Sequence, residues 1–186
     1  MADIIKDLKH KARFLHRNIL TGKQASLDFI QKHPDLKSHS IEALLTEVKR
    51  KHCLSQIANA LGFSSWYSLV KILQLQTFPS PPTGRSNLDY GKILSPSRCR
   101  VYTNVWSVNY EEAKDVRAKN NGFLLTYGTQ YLVTEEDYIT TLGLDPRDEN
   151  WNRIGRDWAN PKDINARSAL YQALINYTLE GQDWLS

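Results

Sequence analysis

Lys49, Arg50 and Lys51 stand together just ahead of the stretch LSQIANALGFSSWYSLVKIL, residues 54–73. Adjacent cations suit a phosphate backbone, because each can neutralise one phosphate and release its counterion. The stretch after them is written as two short helices split at Gly62. A helix-turn-helix needs a small residue in its first helix, a glycine at the turn and an apolar residue behind it. Ala58, Gly62 and Phe63 meet those needs. Its second helix must then turn polar side chains toward a groove, and Ser64, Ser65, Tyr67 and Lys71 are spaced to do so. A packing hairpin explains the same residues with fewer assumptions. Trp66 is large and stands at the front of the second helix, and Ser68 falls where a groove-reading helix wants a buried residue. Packing is the favoured reading of the hairpin, and the DNA-reading alternative stays open.

Patterns for catalysis are mostly missing. The chain has no Gly-rich phosphate loop, no Gly-x-Ser-x-Gly, no His-Glu-x-x-His and no Cys-x-x-Cys. Cys53 follows His52, but neighbours on a helix point about 100° apart and do not form a nucleophile–base pair. Cys53 reads as a small buried hydrophobe and His52 as exposed. Asp145, Asp148, Glu149 and Asp157 cluster in LDPRDENWNRIGRDW, yet Asn150 stands where a calcium loop needs glycine. A capped turn is the simpler reading, with Trp151, Ile154 and Trp158 packed inward and Arg153 and Arg156 pairing with the acids. No metal or cofactor is expected. A small enzyme would need a pocket between the two halves of the chain, and Arg100, Tyr127 and Arg156 are its candidate lining. Trp106, Tyr110, Tyr127 and Tyr131 could stack bases, although alternation on a half-buried sheet accounts for them as well.

The elements that must carry these residues fall in two groups. Ile4, Leu8, Ala12, Leu15 and Ile19 recur at helical spacing, with Asp3 and Gly22 as end signals. Lys9, Lys11, Arg13, His16 and Arg17 surround that stripe. This makes a basic amphipathic helix whose apolar side is expected to face a core. KQASLDFIQKH gives a second helix stopped by Pro34. Ser40 caps a third with Ile41, Leu44, Leu45 and Val48 as its apolar face. The 54–73 stretch supplies the fourth and fifth. TFPSPPTGRSN, residues 77–87, cannot continue a helix and marks a connector. Beyond it the expected order is a strand at 100–108, a helix ended by Gly122, a hairpin around Gly128-Thr129, a helix capped by Thr134, and a last helix. Asn160 caps that last helix, and Ala166, Ala169, Leu170, Ala173, Leu174 and Tyr177 form its buried face. The expectation is an α+β fold. Residues 1–76 form an all-helical bundle of about five helices, 77–97 a Pro/Ser-rich linker, and 98–186 a small mixed β-α-β-β-α-α unit.

Charge divides along the same line. Residues 1–76 hold 12 Lys and Arg against 6 Asp and Glu, and residues 77–186 hold 12 against 14. All five histidines lie in the first part. A basic part beside a mildly acidic one points to a polyanionic partner. Two cysteines are too few for a disulfide framework, no apolar run reaches a membrane span, and the N-terminus lacks the form of a signal peptide. A cytoplasmic location is the expectation, with non-classical secretion left open.

GFSSWYSLVKIL resembles a helical Gly-Phe-x-Ser-Trp-x-x-Leu element that accompanies other domains in several groups of bacterial proteins. With segments 8–17, 49–66, 104–133 and 142–161, the chain resembles an uncharacterised bacterial family. That resemblance implies one conserved unit and assigns no activity to any residue. The expected function is a non-enzymatic binding or regulatory protein whose basic helical region contacts nucleic acid or a partner protein. The alternatives are a protein-interaction module of antitoxin, immunity or effector-adaptor type without nucleic-acid binding, and the small enzyme described above. Oligomeric state is not legible.

Overall fold

The computed structural model describes residues 4–74 and 88–185. It is an α+β fold with a helical N-terminal region and a three-stranded antiparallel sheet. The chain divides into two compact units, one running to Val70 and resuming at Leu179, the other spanning Lys71–Thr178.

The first unit is helical. α1 (Ile4–Leu20) buries Ile4, Leu8, Ala12, Leu15 and Ile19, the stripe its spacing predicts. α2 (Gln24–Ile30) buries Leu27, Phe29 and Ile30. α3 (Ile41–Glu47) is capped by Ser40, whose Oγ accepts from the Ala43 N–H at 3.2 Å. Its buried face is narrower than expected: Leu44 and Val48 are covered, Leu45 is half-buried and Ile41 is exposed. A helix of seven residues, about two turns, covers Leu44 fully and leaves Ile41, at its first position, open to solvent. α4 (Arg50–Ala60) buries Cys53, Ile57 and Ala58. Gly62 then adopts φ +80°, a left-handed conformation that lets the Phe63 N–H close back onto the Ala58 carbonyl at 2.9 Å. α5 (Trp66–Leu73) follows. A 3-10 turn, Asp183–Leu185, returns to this unit and stacks Trp184 on Phe29 at 4.5 Å. The C-terminal residues thus complete the helical core instead of the α+β part to which the sequence boundary assigned them.

The second unit is built on the sheet. β1 (Val105–Ser107), β2 (Phe123–Tyr127) and β3 (Gln130–Thr134) take the order β1-β3-β2, with Leu125 opposite Leu132 and Trp106 opposite Leu132 on its other side. Of the expected linker, residues 77–87 lie outside the described residues. Residues 88–97 are packed chain. Tyr90, Ile93 and Leu94 are buried, and the Tyr90 N–H donates to the Gly128 carbonyl at 2.9 Å. The expected strand at 100–108 is cut to its last third. Residues Ser97–Val101 form a 3-10 turn, held where Arg98 donates to the carbonyls of Thr141 and Leu142. α6 (Tyr110–Asn120) is capped by Asn109, and Asn121, at φ +50°, ends it in place of Gly122. α7 (Glu136–Leu142) starts after Glu135, because Thr134 is occupied as the last residue of β3.

α8 (Glu149–Arg153) is capped by Asp148 and buries Trp151. Ile154 and Trp158 are buried as expected. α9 (Ile164–Leu179) is capped by Asp163, not Asn160, through bonds from the Asn165 and Ala166 N–H groups. Its buried face is rotated from the expected one. Arg167, Tyr171 and Ile175 join Ala166, Leu170 and Leu174, while Ala169, Ala173 and Tyr177 are exposed. Tyr171 and Ile175 remove more apolar surface from water than Ala169 and Ala173 would, and Arg167, on the same face, donates to the Ile72 carbonyl at 3.2 Å. Phe123, Trp151, Trp158 and Tyr171 make one chain of ring contacts at 4.8–5.4 Å.

Candidate nucleic-acid interface

Lys49 precedes α4, and its N–H donates to His52 Nδ1 at 3.2 Å. Arg50 and Lys51 are the first two residues of the helix, and all three cations are exposed. No acid stands in the first turn of α4. The N-terminus of a helix carries partial positive charge, so cations there cost about 0.3–1 kcal/mol each, whereas a phosphate is stabilised by the same dipole and by the free N–H groups. His52 is half-buried, contrary to the expectation that it is exposed. Burial first, and then Lys51, hold its imidazole below the usual value. Cys53 is fully buried, and burial pushes its thiol up to about 12, which makes it unreactive.

His16 Nε2 lies 3.0 Å from the Val48 carbonyl, which sets residues 48–51 beside the flank of α1 that carries Lys9, Arg13 and His16. Lys9, His10, Arg13 and Arg17 are exposed, and Arg13 and Arg17 form no ion pair among the described residues. Lys11 pairs with Asp7 at 3.1 Å. His10, Lys11, Arg13, Phe14, Arg17 and Leu185 line a shallow cleft of about 490 Å³, and the Lys23 ammonium lies 5.8 Å from the Phe14 ring centre. An aromatic ring among cations is the combination that holds single-stranded bases and their phosphates. The sequence reading passed over Phe14. Its place four residues after His10 and three before Arg17, on the same face of the helix, was the signal.

α5 is less suited to read bases. The Ser65 Oγ accepts from the Ser68 N–H at 3.0 Å and lies 2.9 Å from the Ser68 Oγ, which the Ser64 Oγ also approaches at 3.2 Å. These hydroxyls cap and brace the helix. Tyr67, 74% exposed, and Lys71 project from it, while Trp66 is half-buried.

The candidate enzyme residues do not come together. Arg100 is exposed in the 3-10 turn. Tyr127 ends β2, edge-on to Trp106 at 5.4 Å, with Lys92 5.8 Å from its ring centre. Arg156 stands at the opposite end of β2, 4.9 Å over Phe123 and bonded to the Asn121 carbonyl at 2.9 Å. The stacking platform is also divided: Tyr110 and Tyr131 are buried against each other, and Trp106 stays half-exposed. Arg153 pairs with Asp163 at 2.6 Å, outside the acid cluster expected to hold it. Among the described residues no group of three His, Cys, Asp or Glu converges as a metal site, and no helix is long and apolar enough to cross a membrane. Comparison with protein-family models, curated proteins and solved structures finds no match to this chain, so the family resemblance gains no support from them.

Proposed function

We propose that the protein binds nucleic acid through its helical unit, gripping the phosphate backbone with Lys49, Arg50 and Lys51 and extending along α1 through Arg13 and Arg17. Phe14 supplies a stacking surface for an unpaired base. α5 contributes Tyr67 at the margin, and binding is largely independent of sequence because the serine hydroxyls at its start bond to one another and to the Ser68 N–H. The carrying observation is the three exposed cations at the positive end of α4, an arrangement that costs stability unless an anion sits there. Replacing Lys49, Arg50 and Lys51 with alanine should flatten the salt dependence of duplex binding by about 0.9 per lost contact, about 2.7 in all. The same variant should be more stable than the parent in urea. A residue set that is merely structural would move stability the other way.

A second reading rests on Val101, Val105, Trp106 and Val108, all exposed at or beside the edge strand β1. An extended segment of a partner protein could pair with that edge. This reading predicts no nucleic-acid binding at low salt and an unchanged affinity for partner in the alanine variant.

A further inference from the structure

α6 carries Tyr110, Lys114 and Arg117 at i, i+4 and i+7, and Asn121 lies one turn on. Across from this face lie Asn152, Arg156, Asp157, Asn160 and Lys162. Together these residues enclose a cleft of about 530 Å³. Its size is that of a small-molecule site, but its walls are polar where such sites are usually apolar. Four cations line it against one acid, and that acid is turned inward. Asp157 Oδ2 accepts from the Tyr110 hydroxyl at 2.6 Å, and its Oδ1 accepts from the Ala159 and Asn160 N–H groups at 3.0 and 2.9 Å. Asp157 is therefore a positioning residue: it folds residues 157–160 so that Asn160 and Lys162 border the cleft.

The cations are held in place before any ligand arrives. Arg156 is fixed between the Phe123 ring and the Asn121 carbonyl. The stem of Lys162 lies on Gly155, where a Cβ would come 3.3 Å from its Cε. Lys162 forms no ion pair among the described residues, and the Arg117 Nε is shielded from solvent with no hydrogen-bond partner among them. Lys114 is partly neutralised by Glu111 at 3.1 Å.

We propose that this cleft binds a phosphomonoester dianion on a small hydroxylated carrier. Two guanidinium forks and two ammonium groups match the charge and the oxygen geometry of a phosphate. Asn121, Asn152 and Asn160 offer donors and acceptors for hydroxyls. Among the described residues the one ring in the lining, Tyr110, is buried, so a nucleobase finds no face to stack on.

The test is calorimetric titration of the full chain at low salt with glycerol 3-phosphate, a hexose 6-phosphate, inorganic phosphate and the unphosphorylated hexose. The phosphomonoesters should bind at least roughly tenfold more tightly than inorganic phosphate, and the free sugar should not bind. Lys162→Glu should weaken the phosphomonoesters roughly tenfold or more while leaving oligonucleotide binding unchanged, with Lys162→Gln as the milder variant should the first fail to fold. Three results would each overturn the proposal: no phosphomonoester heat at millimolar ligand, equal binding by both Lys162 variants and the parent, or loss of oligonucleotide binding in those variants. The last would assign the cleft to a nucleic-acid backbone.

Discussion

Asp157 is the buried acid on which the second unit turns. Burial holds its carboxyl above the usual range, against the opposing pull of the Tyr110 hydroxyl and the Asn160 and Ala159 N–H groups. The folded chain therefore keeps this proton to higher pH than the unfolded chain does. The stability tied to it is present below the unfolded value, near pH 4, and is lost as pH rises through the folded one. Asp157→Asn should remove that part of the slope in urea titrations taken upward from about pH 4, and a parent-like slope would contradict this assignment. Tyr110→Phe deletes the hydroxyl that Asp157 accepts from, and should cost about 1–3 kcal/mol. The cysteines give a simpler check. Cys53 and Cys99 are both buried, and burial raises both thiols. Ellman's reagent should find neither in the native chain and both after guanidinium unfolding. Rapid modification of Cys53 in buffer would show that the core around α4 opens, and of Cys99 that the 3-10 turn Ser97–Val101 does.

At the scale of elements, periodicity was a good guide wherever one face dominates. The stripe Ile4 to Ile19, the cap at Ser40, the turn at Gly62 and the hairpin 123–134 were all legible. It failed where two faces compete. In α9 Ala169, Ala173 and Tyr177 repeat as regularly as Arg167, Tyr171 and Ile175, and only packing decides between them. It also failed where a tertiary tie overrides propensity. RVYTNVWSV has the composition of a strand, yet Arg98, two residues upstream, ties the 3-10 turn that takes up its first two residues to the end of α7. Gly143 tests such a joint. It ends α7 at φ +94°, and a Cβ there would run into the Tyr177 ring. Gly143→Ala should lower stability by about 1 kcal/mol or more, read as a fall in Tm. The half-exposed ring can swing aside, but the backbone conformation remains unfavourable.

For the whole molecule, the proposed nucleic-acid binding rests on the division of charge read from the sequence. Seven of the twelve cations of the first 76 residues lie in two segments that sequence distance separates, residues 9–17 and 49–51, joined by the His16–Val48 bond. Of the residues first suggested for nucleic acid, Lys49, Arg50 and Lys51 are exposed, Ser65 caps α5, and Ser64 lies 3.2 Å from the Ser68 hydroxyl. The phosphate-type cleft of the second unit was invisible, because it assembles α6 with residues 152–162 and because its acids and bases cancel in any count along the chain. The central claim is that the helical unit grips a phosphate backbone. The most direct test is the salt dependence of oligonucleotide binding, single- and double-stranded, by the full chain and its Lys49→Ala, Arg50→Ala, Lys51→Ala variant. A steep slope that the variant flattens by about 2.7 on duplex DNA is the predicted result. Absence of binding at low salt, or an identical slope in both proteins, would contradict it.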